Sequence, residues 1–441
     1  MLNKSAFSVI GLESRLRILN IRGSVPGILG LAMTYGLLSH SAAASPPYAF
    51  LSTEDLQKNR QLITEQQAPE LTQEAYSQLI RQADKALARE NMSVMDKRMT
   101  PPSGSKHDYL SLSAYWWPDS QRPDVLPWVR QDGDINPASK NEDSDGVRLA
   151  DFTAQVQALT LAWYFSGQQK YADKAVGMIR AWFLVPATRM NPNLNFAQGV
   201  PGVAEGRGSG VLDGRYFAIR VVDSLIMLRK NPSWTAQDEQ QMHQWMTDYL
   251  YWLQTSPLGK KEAAAKNNHG SWYKVQVAGI AWYLQRDELV LDMAEQMKPL
   301  LNYQLEANGA QPLELARTRS FHYSDFNLQA VTQLATLANN LHLDLWRYQT
   351  PNGSGLLKAL DFMAPYIDKN LDWPYPTRDR FGIRLIPLLS QADKALGQPR
   401  YQHWIALGSF SPPTGKSVAK ARGAVNGALR DNWLLQAPET R

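Results

Sequence analysis

The chain has 441 residues, 44% hydrophobic and 20% charged, the composition of an ordinary globular protein long enough for two or three domains or for one helical barrel. It has no cysteine, which excludes disulfides, thiolate zinc sites, a cysteine nucleophile and a lipoprotein anchor. Of its net charge of +5, residues 1–44 carry +3 (Lys4, Arg15, Arg17 and Arg22 against Glu13), so the remainder carries +2 and anion recognition must come from local cations.

Residues 1–44 begin basic, continue with an apolar run over 25–38 and end on Ala42-Ala43-Ala44. The run is broken by Pro26 and three glycines and is too short to span about 30 Å of hydrocarbon. This pattern predicts a cleaved signal peptide over 1–44 and a single domain over 45–441, exported to the periplasm and free of the membrane after cleavage. Residues 71–90 follow with the spacing of an amphipathic helix. Residues 99–136, including Tyr115-Trp116-Trp117-Pro118-Asp119, show no period and read as a long ordered loop or lid.

From residue 147 helices follow one another: 147–165 with 171–184, 215–229 with 236–254, 272–285 with 289–305, then 327–341, 356–366 and 383–396. Strand-like alternation is scarce, and turn clusters such as Asn231-Pro232-Ser233 separate the helices. The fold class is all-α, either a solenoid or a toroid of antiparallel helix hairpins, and the lack of a fixed-length repeat favours the toroid. The tail from about Ser409 has no clear period and is expected to pack loosely. Between the first two helix pairs, the amide-rich run Thr188 to Gln198 and the glycine-rich stretch to Gly210 form a long loop. No strand precedes it and no Gly-Lys-Ser/Thr ends it, so it is no phosphate cradle; Arg189, Asn191, Gln198 and Arg207 on it suit a sugar cleft.

Two stretches carry the chemistry. Asn267-Asn268-His269-Gly270-Ser271-Trp272-Tyr273 offers amides and an imidazole, and Arg317-Thr318-Arg319-Ser320-Phe321-His322-Tyr323 offers guanidinium groups, an imidazole and a phenol. That set suits β-elimination on a uronic-acid polymer. Amides and Arg317 would hold the carboxylate whose neutralisation acidifies the C5 hydrogen, while His269 and Tyr323 would move the protons. As a base, Tyr323 would need its pKa, ordinarily near ~10, lowered by Arg317, Arg319 and His322. It would then serve a substrate whose C5 hydrogen and C4 oxygen share a face; opposite faces would suit His269 as base and Tyr323 as acid. Tyr115, Trp116, Trp117, Trp128, Trp272 and Tyr273 could stack sugars or fill the core. Glu205 or Glu314 with an aspartate would instead make a glycosidase pair, unless they orient Arg or His side chains. A cleft without turnover would make a polyuronate-binding protein. His107, His243, His342 and His403 form no metal-ligand spacing, and no metal, cofactor or nucleic-acid partner is expected.

Taken together, Tyr115 to Asp119, Asn267 to Tyr273 and Glu314-Leu315-Ala316-Arg317-Thr318 through Tyr323 resemble the alginate lyase family of helical-toroid polysaccharide lyases, with the likeness running over 109–366. The resemblance implies an incomplete (α/α) toroid with a cleft at one end, cleaving mannuronate-type polymers to products with an unsaturated end. It implies that Asn268 and Arg317 neutralise the carboxylate, that His269 is the catalytic imidazole and that Tyr323 is the proton-shuttling phenol. Asn267, Tyr115, Trp116, Trp117, Arg189, Asn191, Gln198, Arg207, Trp272, Arg319 and His322 would line the substrate. Gly270-Ser271-Trp272 and the Tyr-Trp-Trp-Pro segment lean toward a branch that also degrades glucuronan. The expectation is therefore a monomeric periplasmic lyase whose partner is an anionic polysaccharide, alginate first and glucuronan second.

Overall fold

In the computed structural model, residues 48–410 and 418–437 are described. The expected signal peptide falls outside them, and Ser45–Arg441 form one compact unit. Its helices are α1 Thr53–Thr64, α2 Glu70–Leu87, α3 Asp145–Ser166, α4 Gln169–Ile179, α5 Asp223–Leu228, α6 Ala236–Thr255, α7 Pro257–Ala263 and α8 Asn268–Tyr283. The second half adds α9 Asp287–Gln304, α10 Pro312–Leu315, α11 Ser320–Asn339, α12 Leu356–Met363, α13 Leu385–Leu396, α14 Gln402–Ile405 and α15 Val418–Trp433. A wide π-type stretch, Phe217–Val222, leads into α5.

The helices sort by how they bury their surfaces. In α8 every residue except His269 is buried, so no solvent face remains, and α3 and α11 are nearly as enclosed. Helices α4, α9 and α12 keep one apolar stripe and a wet face. The enclosed helices meet in sequence: α3 against the 217–228 helix, that helix against α8, α8 against α11, and α11 against α13. The circuit returns through α15 and α2 to α3, which is the (α/α) toroid. Close approach at its centre depends on Gly279 of α8, where a Cβ would sit 2.8 Å from Ala218 and 2.9 Å from Phe50.

Residues 49–51 are locked into this core. Asp223, fully buried, accepts the backbone N–H groups of Ala49, Phe50 and Leu51 at 2.6, 2.9 and 3.1 Å. Burial still raises its carboxyl to about 6. A second buried pair, Lys97–Asp145 at 3.0 Å, anchors the start of the long loop, because Asp145 also accepts Leu110 N and Lys97 also donates to the carbonyls of Val94 and Lys106.

The aperiodic segment 99–136 is ordered, as expected, but by pairing as well as by turns. Strand β1 (Leu110–Leu112) lies parallel to β4 (Phe196–Gly199), and β2 (Trp116–Trp117) pairs antiparallel with β3 (Val129–Arg130). Three differences from the sequence reading have physical causes. Helices α8 and α11 begin four and seven residues earlier than their apolar periods, because their first turns carry polar groups. Helix α7 is short and is launched by the Ser256 cap and Pro257. The tail does not pack loosely: α15 buries Ala424, Val425, Ala428 and Leu429, and Leu434 and Leu435 follow it into the core.

Asn59 of α1 fixes that tail, donating Nδ2 to the carbonyls of Trp433, Leu434 and Gln436 at 3.3, 2.9 and 2.7 Å. Asn59→Ala should therefore cost about 1–3 kcal/mol and lower the melting temperature by a few degrees, read by calorimetry. An unchanged transition would show that the tail is held by its apolar contacts alone.

Candidate functional site

The N-termini of the enclosed helices α8 and α11 carry the candidate residues, and α7, α10 and the loops hold them in place. Asn267 caps α8, its Oδ1 accepting His269 N at 3.1 Å, which sets Asn268 and His269 in the first turn. From α7, Glu262 reaches His269, with Oε1 2.6 Å from Nδ1. The imidazole side chain is 20% exposed and the carboxylate 4%. An ionised carboxylate only accepts, so Nδ1 carries a proton, and Nε2 makes no hydrogen bond among the described residues. Asn268 is fully buried, with its backbone N and Nδ2 on Glu314 at 2.7 and 2.8 Å. Burial raises the Glu314 carboxyl, while the Asn268 bonds, Arg317 and His269 pull it back.

The second half begins at Arg317, whose Nε and Nη2 grip Asp132 at 3.2 and 2.7 Å. Asp132 also accepts Thr318 N and Thr318 Oγ1, at 3.3 and 3.1 Å. Burial alone would raise this carboxyl, but the Arg317 and Thr318 contacts hold it down at about 2. The Arg317 guanidinium lies 3.8 Å from the Tyr323 ring centroid, and the Tyr323 hydroxyl donates to Tyr115 Oη at 2.7 Å. The expected depression of the Tyr323 pKa is not found. Burial and then Tyr115 push the phenol well up, Arg317 offsets only part of this, and the other two cations are not available. Arg319 is spent on Asp379 at 2.6 Å, and His322 is neutral because burial, Arg319 and Arg384 drive it down to about 3. Tyr323 is accordingly a protonated phenol.

The loops complete the wall. Arg207 donates Nη1 to Ser113 Oγ at 2.9 Å and lies 5.4 Å over Trp116; burial and Arg130 lower its pKa, with Glu262 opposing. Trp117 is half-buried and donates Nε1 to the Asp134 carbonyl. Other expected contacts are committed elsewhere. Trp272 is 2% exposed and packs on Phe326, so it belongs to the core and has no face for a sugar; Tyr273 is likewise buried on the Leu253 carbonyl. Gln198 donates to Asp213 and Asn191 to Asp108, while Arg189 is exposed and offers its carbonyl to His107. Glu205 is exposed, and Glu314 and Glu262 are occupied by Asn268 and His269, so no glycosidase pair is assembled from them. Sequence reasoning missed Glu262 and Asp132, which touch the site only through the fold.

Comparison with known proteins identifies the family and the fold. A model of the alginate lyase family matches residues 93–373. No curated protein sequence matches. Among solved structures, an alginate lyase from Bacteroides ovatus shares 34% identity at a TM-score of 0.79, over 86% of this chain and 98% of that one. Alginate lyase A1-III from Sphingomonas species A1 shares the fold at 15% identity and a TM-score of 0.53, over 82% and 92% of the two chains. A histidine-to-alanine variant of A1-III complexed with a tetrasaccharide gives 15% identity and 0.58, over 91% and 98%.

The neutral state of His322 is directly measurable. The unfolded chain would bind a proton near pH ~6.5 whereas the folded ring does so only at about 3, so this group's contribution to stability falls as pH drops between those values. Proton NMR should show no His322 titration between about pH 5 and 8, and a midpoint near ~6.5 would contradict the burial described.

Proposed function

The chain belongs to the alginate lyase family, and from that premise we propose which of its residues perform the elimination. It is a polysaccharide lyase that cleaves alginate. His269 removes the C5 proton through Nε2, and the resulting charge spreads onto the C6 carboxylate. That charge is held by Arg317 Nη1 and Asn267 Nδ2, neither of which bonds an acceptor among the described residues, beside the positive end of α8. As the C4–O bond breaks, its electrons go to the departing oxygen, which takes the Tyr323 proton, and a C4=C5 double bond remains. The Tyr323 phenolate is then covered by Arg317, and the His269 imidazolium by Glu262. Asn268, fully buried, acts by fixing the α8 N-terminus on Glu314.

The observation that carries this assignment is the Glu262–His269 pair. It joins a partly exposed imidazole to a buried carboxylate at 2.6 Å, which orients the base. A buried, protonated Tyr323 fits the acid. Tyr115, Trp116 and Arg207 then form the loop side of the cleft for an anionic polysaccharide. Residues 1–44 act as an export signal delivering the enzyme to the periplasm; among the described residues no helix is long and apolar enough to cross a membrane.

Ultraviolet absorbance of the new double bond tests the reading on poly-mannuronate, poly-guluronate and glucuronan separately. The protein should give a rise on an alginate polymer: on poly-guluronate, whose C5 hydrogen and C4 oxygen lie on opposite faces, with His269 as base and Tyr323 as acid, and on poly-mannuronate, where they share a face, with Tyr323 in both roles. Tyr323→Phe and His269→Ala should each lower the rate by about 10²-fold or more, and Arg317→Ala should raise KM and lower kcat. An unimpaired His269→Ala would make Tyr323 both base and acid. Reducing ends without the absorbance would indicate hydrolysis, and silence on all three polymers would leave a binding protein.

A further inference from the structure

The arginines around the cleft fall into two classes. Arg317 and Arg319 each lie on a carboxylate, Asp132 and Asp379, at 2.7 and 2.6 Å. Arg215 and Arg384 do not. Among the described residues, the Arg384 guanidinium makes one hydrogen bond, Nη1 to His322 Nδ1 at 3.3 Å, and lies 5.2 Å over Phe381. Arg215 donates to the Leu212 carbonyl at 2.9 Å and to Tyr216 Oη at 2.7 Å, and lies over the rings of Tyr216 and Phe326 at 4.0 and 5.4 Å.

Both guanidinium groups bear on one feature. The His322 ring stacks on Phe326 at 5.8 Å and lies 5.2 Å from the Tyr323 ring, so the pair adjoins the reacting centre. A guanidinium can only donate, so Nδ1 of His322 accepts and the ring proton is on Nε2, for which no described residue supplies an acceptor. The acids nearby are otherwise engaged. Asp379 is on Arg319 and Asp213 accepts from Tyr109, Ser111 and Gln198, while fully buried Asp325 accepts from Gln329 and attracts Arg384 from beyond ion-pair distance. The positive field is felt at Tyr216. Burial would raise its pKa, yet Arg215 and Arg220 outweigh burial and lower it. Half-buried guanidinium groups without a carboxylate are costly to keep, and they are kept where an anion arrives from outside.

We infer that Arg215, Arg384 and the Nε2–H of His322 form a carboxylate subsite for the uronate unit next to the one being cleaved at Tyr323. The inference rests on the lyase reading and extends it from one sugar to its neighbour. The two charges bind the carboxylate, and the neutral imidazole donates without competing for it.

The experiment is steady-state kinetics of Arg384→Gln and Arg384→Lys by double-bond absorbance, together with calorimetric binding of a mannuronate tetrasaccharide to each in a Tyr323→Phe background. Loss of a charge-assisted contact should raise KM and Kd about tenfold or more in Arg384→Gln, with kcat within about twofold; Arg384→Lys should recover part of the affinity. Arg215→Lys, which keeps the charge but loses the fork, provides the same KM and Kd readout if Arg384→Gln does not fold. Unchanged KM and Kd in a folded variant, with elimination intact, would overturn the subsite and leave the lyase reading standing. Absence of elimination by the unmodified protein would overturn that reading, while the calorimetry would still decide the subsite.

Discussion

The bond between Glu314 and Asn268 sets the geometry of everything near the cleft. One buried carboxylate accepts two N–H groups from the first turn of α8, at 2.7 and 2.8 Å, and so fastens the segment leading into α11 to the start of its neighbour. Three residues on, Arg317 N donates to the Glu314 carbonyl, and Tyr323 follows within the first turn of α11. A buried carboxylate is expensive unless its lone pairs are satisfied, and here the satisfying donors are the ones whose position matters. Imidazole and phenol therefore belong to one rigid unit, although they come from different helices.

Around that unit the protein uses its acids as second partners. Glu262 stands behind His269, Asp132 behind Arg317 and Asp379 behind Arg319. Each removes a rotational freedom that substrate binding would otherwise have to quench. Asp132 does more, because it brings the 99–136 loop onto the α11 N-terminus and places Tyr115 against Tyr323. The same carboxylate thus ties the loop to the arginine.

How much of this was legible in the sequence depended on the length scale of the interaction. Helices α2, α3, α4, α6, α9 and α13 follow the apolar period because each buries a continuous stripe or face, and the family motifs located His269, Arg317 and Tyr323 directly. The first turns of α8 and α11 did not follow that period, since Asn268, His269 and His322 replace apolar residues where the helices meet the cleft. Asp132 lies 185 residues from Arg317, and no local pattern marks such a pairing. Trp272 was ambiguous for the opposite reason: beside a catalytic motif, an aromatic can face a sugar or the core, and only its burial decides. Charge counting along the chain misled about Tyr323, because Arg319 and His322 are near in sequence but one is neutralised and the other uncharged.

The way residues 49–51 and 434–436 are sealed bears on how the protein can be handled. Ala49, Phe50 and Leu51 hang on Asp223 in the interior, Phe50 abuts Gly279, and Leu434, Leu435 and Gln436 are buried against α1 and α13. An affinity tag or display fusion abutting residue 48 or residue 437 directly would contend with the packed centre of the ring. A flexible spacer at either end, or an insertion at an exposed turn such as the one around Gly353, would leave the ring closed.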